Sequence, residues 1–183
     1  MKDDYVRVKD YIPDIYVDLR YATERNFTHT KVYDFDEAYL RLGTTLKLKK
    51  VQEELKGLGY SLKIWDAYRP FIAQQYFWEL IHDDEFVADP TYGPKTHNFG
   101  NVVDVTLVKS DGSEIDMPTE FDDFTSKASR DYSWLTGSPL EHVLLLEDTM
   151  EKYGFIGYEG EWWHYTDEDS YEYIEFNPNE RHS

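Results

Sequence analysis

Asn101-Val102-Val103-Asp104-Val105-Thr106-Leu107-Val108 is the stretch on which the fold turns. It is rich in Val and Thr, residues that fit a pleated, half-buried surface, and it reads as a central strand. Outward from it, Leu62-Lys63-Ile64-Trp65 alternates weakly and reads as a second strand. Ile12 to Leu19 alternates loosely as an early strand, and Phe155 to Tyr165 supplies one or two more. Three helices are expected between them. Thr45 to Leu58 carries Leu46, Val51, Leu55 and Leu58 near helical spacing and stops at Gly59. Pro70 opens a helix to about His82, with apolar Phe71, Ile72, Phe77, Leu80 and Ile81. Ser138-Pro139-Leu140-Glu141 reads as a helix start with Ser138 as N-cap and Glu141 closing a capping box; that helix runs to Tyr153 and ends at Gly154. Arg20 to Asp36 reads as an ordered loop, Asp111-Gly112 as a turn between two extended runs, and Phe121 to Thr136 as irregular. The expected fold class is α+β: a single domain over residues 1–183, with helices packed on a mostly antiparallel central sheet.

Composition narrows the function. The 183 residues carry a net charge of −18, which disfavours nucleic acid and anionic membrane surfaces, since both require a basic footprint. Sixteen Tyr and five Trp argue against disorder. The chain has no cysteine, so disulfides, thiolate metal sites and a cysteine nucleophile are excluded. No stretch approaches the roughly 18 apolar residues of a membrane span. Met1-Lys2-Asp3-Asp4-Tyr5 lacks the apolar run of a signal peptide, so a cytoplasmic location is expected. Oligomeric state is not legible.

Two segments carry chemistry. Thr96-His97-Asn98-Phe99-Gly100-Asn101-Val102-Val103-Asp104 and Glu161-Trp162-Trp163-His164-Tyr165 together hold two imidazoles, an aspartate and a glutamate. His97, Asp104 and His164 form a ligand set that suits catalytic Zn2+ with one position open for water, and Glu161 is then placed to take a proton from that water. Glu161 and His164 cannot share one face of a straight strand, because three is an odd offset. Either the chain bends there, or Glu161 approaches over a strand end. Each residue also has a plainer reading. Asp104 alternates with Val103 and Val105 and can face solvent, Trp162 and Trp163 can be core, and His29, His82, His142 and His182 read as surface residues. In Trp65-Asp66-Ala67-Tyr68-Arg69-Pro70, Arg69 is a candidate oxyanion donor, although spacing alone favours a surface pair with Asp66.

With those residues in view, the chain resembles the zinc D-alanyl-D-alanine dipeptidases associated with vancomycin resistance, over nearly its whole length. Asp18 to Thr23 with Asn26-Phe27-Thr28 matches the family's N-terminal signature, and Trp65 to Pro70 its arginine motif. His97, Gly100 and Asp104 match the metal motif Ser-x-His-x-x-Gly-x-Ala-x-Asp, and Glu161 to Tyr165 the C-terminal motif. The resemblance implies zinc on His97, Asp104 and His164, Glu161 as general base and then acid, and Arg69 stabilising the tetrahedral intermediate. It also implies that Asp122 receives the substrate's free amino group, with its neighbour Asp123 as the alternative one residue along. Two departures bear on substrate: the motif's Ser falls at Lys95, with Thr96 beside it as the substrate-side candidate, and its Ala is Val102. The family's pocket tyrosine corresponds to Tyr33 or is replaced by Phe35.

The expected partner is thus a small dipeptide, held at its ammonium end by an aspartate and cut by zinc-dependent hydrolysis. Three alternatives compete: a D,D-carboxypeptidase acting on cell-wall peptides, a non-catalytic zinc-containing binding module, and a non-haem iron oxygenase. The last lacks its usual His-x-Asp spacing here.

Overall fold

A computed structural model of the protein describes residues 1–180, and His182 lies outside them. The chain opens with β1 (Tyr5–Arg7), the single-turn helix α1 (Val8–Tyr11), β2 (Tyr16–Val17) and β3 (Tyr39–Arg41). Next come helix α2 (Leu42–Gly57), β4 (Tyr60–Asp66), helix α3 (Phe71–Leu80) and β5 (Val102–Lys109). Helix α4 (Ser138–Lys152) leads into a hairpin of β6 (Phe155–Tyr158) and β7 (Glu161–Asp167). Five strands form one sheet in the order β2-β4-β5-β7-β6, while β1 and β3 pair separately. Only β2 runs parallel to its neighbour; the other pairs in the large sheet are antiparallel. The α+β expectation therefore holds, and the Val-rich stretch is the middle strand.

Both faces of β5 are covered. Val103, Val105 and Leu107 join the main hydrophobic cluster with Leu62 and Ile64 of β4 and with Val143, Leu146 and Met150 of α4. Asp104 points to the opposite face yet is only 3% exposed, so the solvent-facing reading of that residue fails. Register places functional residues in a row: Asp66 on β4 lies opposite Asp104, and Asp104 lies opposite His164 on β7. Directly paired residues share a face, so the three side chains stand side by side across three strands.

The helices differ from expectation in detail. In α2 the buried stripe is Leu48, Val51, Gln52 and Leu55, whereas Leu46 and Leu58 are 44% and 57% exposed. Leu46 sits five positions before Val51, well over a quarter-turn off the stripe, and Leu58 follows the last turn. In α3, Ala73, Gln74 and Phe77 face inward, while Ile72 is 75% exposed. The N-cap of α4 is Gly137, at φ 70°, and not Ser138. The Ser138 hydroxyl instead donates to Asp116 Oδ2 at 3.0 Å. The early strand shrinks to two residues, with Ile12 and Ile15 given over to the core. Beyond the Asp111-Gly112 turn, pairing with β5 is limited to one bridge, Val108 with Glu114.

Candidate active site

His97 is set on a short 3-10 turn, Thr96–Phe99, that ends at Gly100 in the left-handed region at φ 75°. Tyr5 of β1 packs so closely against Gly100 that an added Cβ would overlap its ring, which leaves glycine as the residue that fits. Asn98 fastens the turn: its Oδ1 accepts from the Lys95 backbone at 3.0 Å, and its Nδ2 donates to the Arg69 carbonyl at 2.9 Å. The imidazole of His97 lies between two acceptors. Its Nδ1–H donates to the Ala67 carbonyl at 2.8 Å, a group that can only accept, which turns Nε2 toward Asp104 Oδ1 at 3.2 Å. That carbonyl contact fixes ring and tautomer in the way metal-binding histidines require.

His164 reaches the same carboxylate oxygen with Nδ1, at 3.2 Å. Ligand atoms of His97, Asp104 and His164 all lie within 4.8 Å of one another. All three residues are buried. Burial pushes the His164 imidazole below its ordinary pKa, which keeps a lone pair available. Burial works against the Asp104 charge, but the two imidazoles outweigh it and hold this carboxyl well below the usual range. Two imidazoles converging on one carboxylate fit a divalent cation with nitrogen and oxygen preferences.

Glu161 Oε1 lies 3.6 Å from His164 Nδ1. The parity problem is solved at the hairpin: Glu161 is the first residue of β7, beside a register shift between Gly157 and Tyr158 of β6. Burial, with Asp104 and Asp122 nearby, pushes the Glu161 carboxyl well above its ordinary pKa. A carboxyl with such proton affinity is suited to general base and acid work near neutrality.

Arg69 does pair with Asp66, though not at the surface. Asp66 is fully buried and Arg69 is 8% exposed. Nε and Nη2 of Arg69 donate to Asp66 Oδ2 at 3.2 and 2.8 Å, and Nη1 donates to Gln74 Oε1 at 2.7 Å. Burial opposes the guanidinium charge, but Asp66 more than offsets it and keeps Arg69 cationic. Asp66 also accepts from the Tyr33 hydroxyl at 2.7 Å and from the Ala67 backbone at 3.0 Å. The arginine is thus locked in orientation with donors left over for a ligand.

His97, Asp104, His164, Glu161 and Arg69 line one cavity of about 120 Å³, together with Thr96, Asp122, Tyr21 and Tyr158. Asp122 accepts a short hydrogen bond from the Tyr21 hydroxyl, and burial raises its carboxyl to about 7. Of the two neighbouring aspartates, Asp122 lines the cavity, whereas Asp123 accepts from the Thr125 backbone at 3.0 Å within its own turn. Thr96 and Asp122 both hold positive φ, 48° and 57°. Such backbone strain persists where surrounding structure over-determines it, commonly at ligand sites. Lys95 is exposed and does not line the cavity; Thr96 occupies that wall. Tyr33 is likewise absent from the wall and acts behind it through Asp66. Tyr21, Tyr158, Gln74 and the organising role of Asp66 were not assigned from sequence. Tyr21 lies inside the N-terminal signature, the one signal that pointed toward it.

The D-Ala-D-Ala dipeptidase family of M15 peptidases matches residues 1–180. A D-alanyl-D-alanine dipeptidase of Escherichia coli is 31% identical over 84% of this chain and 79% of its own. One from Enterococcus faecalis is 26% identical over 90% of this chain and 92% of its own. Among solved structures, the LdcB LD-carboxypeptidase aligns over 74% of this chain and 64% of its own, at 23% identity and a TM-score of 0.47. No helix among the described residues is long and apolar enough to cross a membrane.

Proposed function

The chain belongs to the D-Ala-D-Ala dipeptidase family, and on that premise we propose that it is a zinc peptidase that cleaves D-alanyl-D-alanine or a similar D-amino-acid dipeptide. A single domain, described over residues 1–180, would carry the reaction. The observation behind this reading is the convergence in one small cavity of a His-Asp-His triad, a high-pKa glutamate and a buried arginine. His97, Asp104 and His164 would hold the zinc. When bound, zinc supplies Lewis acidity, acidifying a water and polarising a substrate carbonyl.

The remaining work belongs to the chain. Glu161 takes the proton of the attacking water and returns it to the leaving amine. Arg69, aimed by Asp66 and Gln74, faces the negative charge that develops on the carbonyl oxygen. Asp122 receives the substrate ammonium at the cavity wall, with Thr96 beside His97 on the substrate side. Arg69→Lys is expected to lower kcat by about 10²-fold with KM little altered, because an ammonium cannot reproduce a guanidinium held at three points. Unchanged kcat in steady-state assays would remove Arg69 from the transition state.

Asp122 separates a dipeptidase from a carboxypeptidase. Free D-Ala-D-Ala should be hydrolysed and its N-acetylated form refused, and Asp122→Asn should erase that preference. A carboxyl raised to about 7 is protonated below that pH and loses its hold on an ammonium. For the wild type, kcat/KM is therefore expected to fall as pH drops through 7 or somewhat below, since a dication nearby favours the charged form. Equal cleavage of the acylated peptide by wild type would favour the carboxypeptidase reading.

A further inference from the structure

The start of β7 is bulged. Gly157 pairs with Tyr165 and Tyr158 pairs with Glu161, so one step along β6 spans four along β7. Trp162, Trp163 and His164 have no register partner on β6, and backbone groups left in such a gap need other partners when buried. A single side chain supplies them. Nη2 of Arg130 donates to the carbonyls of Trp162 and His164 at 3.2 and 2.9 Å. Its Nε donates to the Tyr158 carbonyl at 2.7 Å. Nη1 donates to Glu147 Oε1 at 2.6 Å and to the Tyr165 hydroxyl at 3.3 Å. These five bonds match the five N–H groups of a guanidinium. The group also lies over the Tyr165 ring at 4.5 Å, and its side chain is 6% exposed. Gly157 makes room for it, since an added Cβ there would overlap the guanidinium.

We infer that Arg130 is a positioning residue for the peptidase reaction: its guanidinium stands in for the missing strand partner and holds the bulge that brings Glu161 and His164 to the same cavity. The inference rests on the roles proposed above for those two residues. The three carbonyls it gathers, from residues 158, 162 and 164, bracket Glu161 in sequence and include the backbone of a metal ligand. Without the bulge, the odd offset between Glu161 and His164 would turn one of them away. A lysine at this position would keep the charge but present its donors from one point, too narrow to span three carbonyls.

Arg130→Lys in the full-length, zinc-loaded protein tests this. Kcat for D-Ala-D-Ala should fall by about 100-fold, the cost of a roughly 1 Å misplacement. KM should stay within about threefold, because Asp122 and Arg69 are untouched. Zinc affinity, read by chelator competition, should weaken by about tenfold, as for other groups that orient ligands. Backbone hydrogen exchange should quicken at residues 157–165. A merely structural arginine would lower thermal stability without splitting kcat from KM. Should Arg130→Lys fail to fold, Gly157→Ala, which displaces the guanidinium, should give the same signature. Wild-type kcat and zinc affinity in whichever variant folds would overturn the inference. A failure of the site roles themselves would show differently, as a wild-type protein that neither retains zinc nor cleaves the dipeptide.

Discussion

Glu161→Ala should lower turnover of D-Ala-D-Ala by about 10⁴-fold, the upper range for loss of a general acid–base group, while the protein still carries one zinc. Both halves of that result follow from position. Glu161 stands 3.6 Å from His164 but outside the cluster of three side chains whose donor atoms converge, so its removal subtracts no ligand. Its charged form is disfavoured by burial and by the carboxylates of Asp104 and Asp122. Truncation therefore removes a group with high proton affinity and relieves like-charge crowding, and the variant should fold. Metal analysis of the dialysed variant beside a single-turnover assay reads both halves. A variant that has lost its zinc would make Glu161 a ligand and end its assignment as base.

Asp104→Ala is expected to abolish stoichiometric zinc binding, and hydrolysis with it; His97→Ala should do the same. Asp104 is the hub of the cluster, with one carboxylate oxygen 3.2 Å from both imidazoles. It is also the sole anionic donor among the three, so its loss leaves two neutral nitrogens to hold a dication. Metal content after dialysis against a chelator decides the matter, and full occupancy in either variant would sink the ligand set.

Much of this site was legible in the sequence because its chemistry is concentrated in short segments. The Val-rich strand, the two histidines, Asp104 and Glu161 stand out by residue type, and His97, Asp104, Glu161 and His164 all line the cavity. What remained hidden depends on contacts between distant segments. Sequence spacing set Arg69 and Asp66 three apart as a surface pair; the pairing of β4 with β5 buries Asp66, and the rings of Tyr21 and Phe77 cover Arg69. The odd offset between Glu161 and His164 was a visible contradiction, but its solution lies in Arg130, some thirty residues upstream in a stretch with no periodicity. Leu46 and Ile72 misled because residue type was read as direction, and a helix rotates about 100° per residue. Ser138 misled because a hydroxyl can serve a neighbouring loop as well as a helix end.

The row formed by Asp66, Asp104 and His164 across three strands has a consequence for how such a chain can change over generations. A slip of one residue in β5 would swing Asp104 among the valines and bring Val103 or Val105 to face His97 and His164, losing core and chemistry in one event. Insertions and deletions within β4, β5 and the paired half of β7 should therefore be purged among descendants. Length variation should gather instead in exposed loop stretches outside the sheet ladder, such as residues 23–31, ahead of the buried Tyr33.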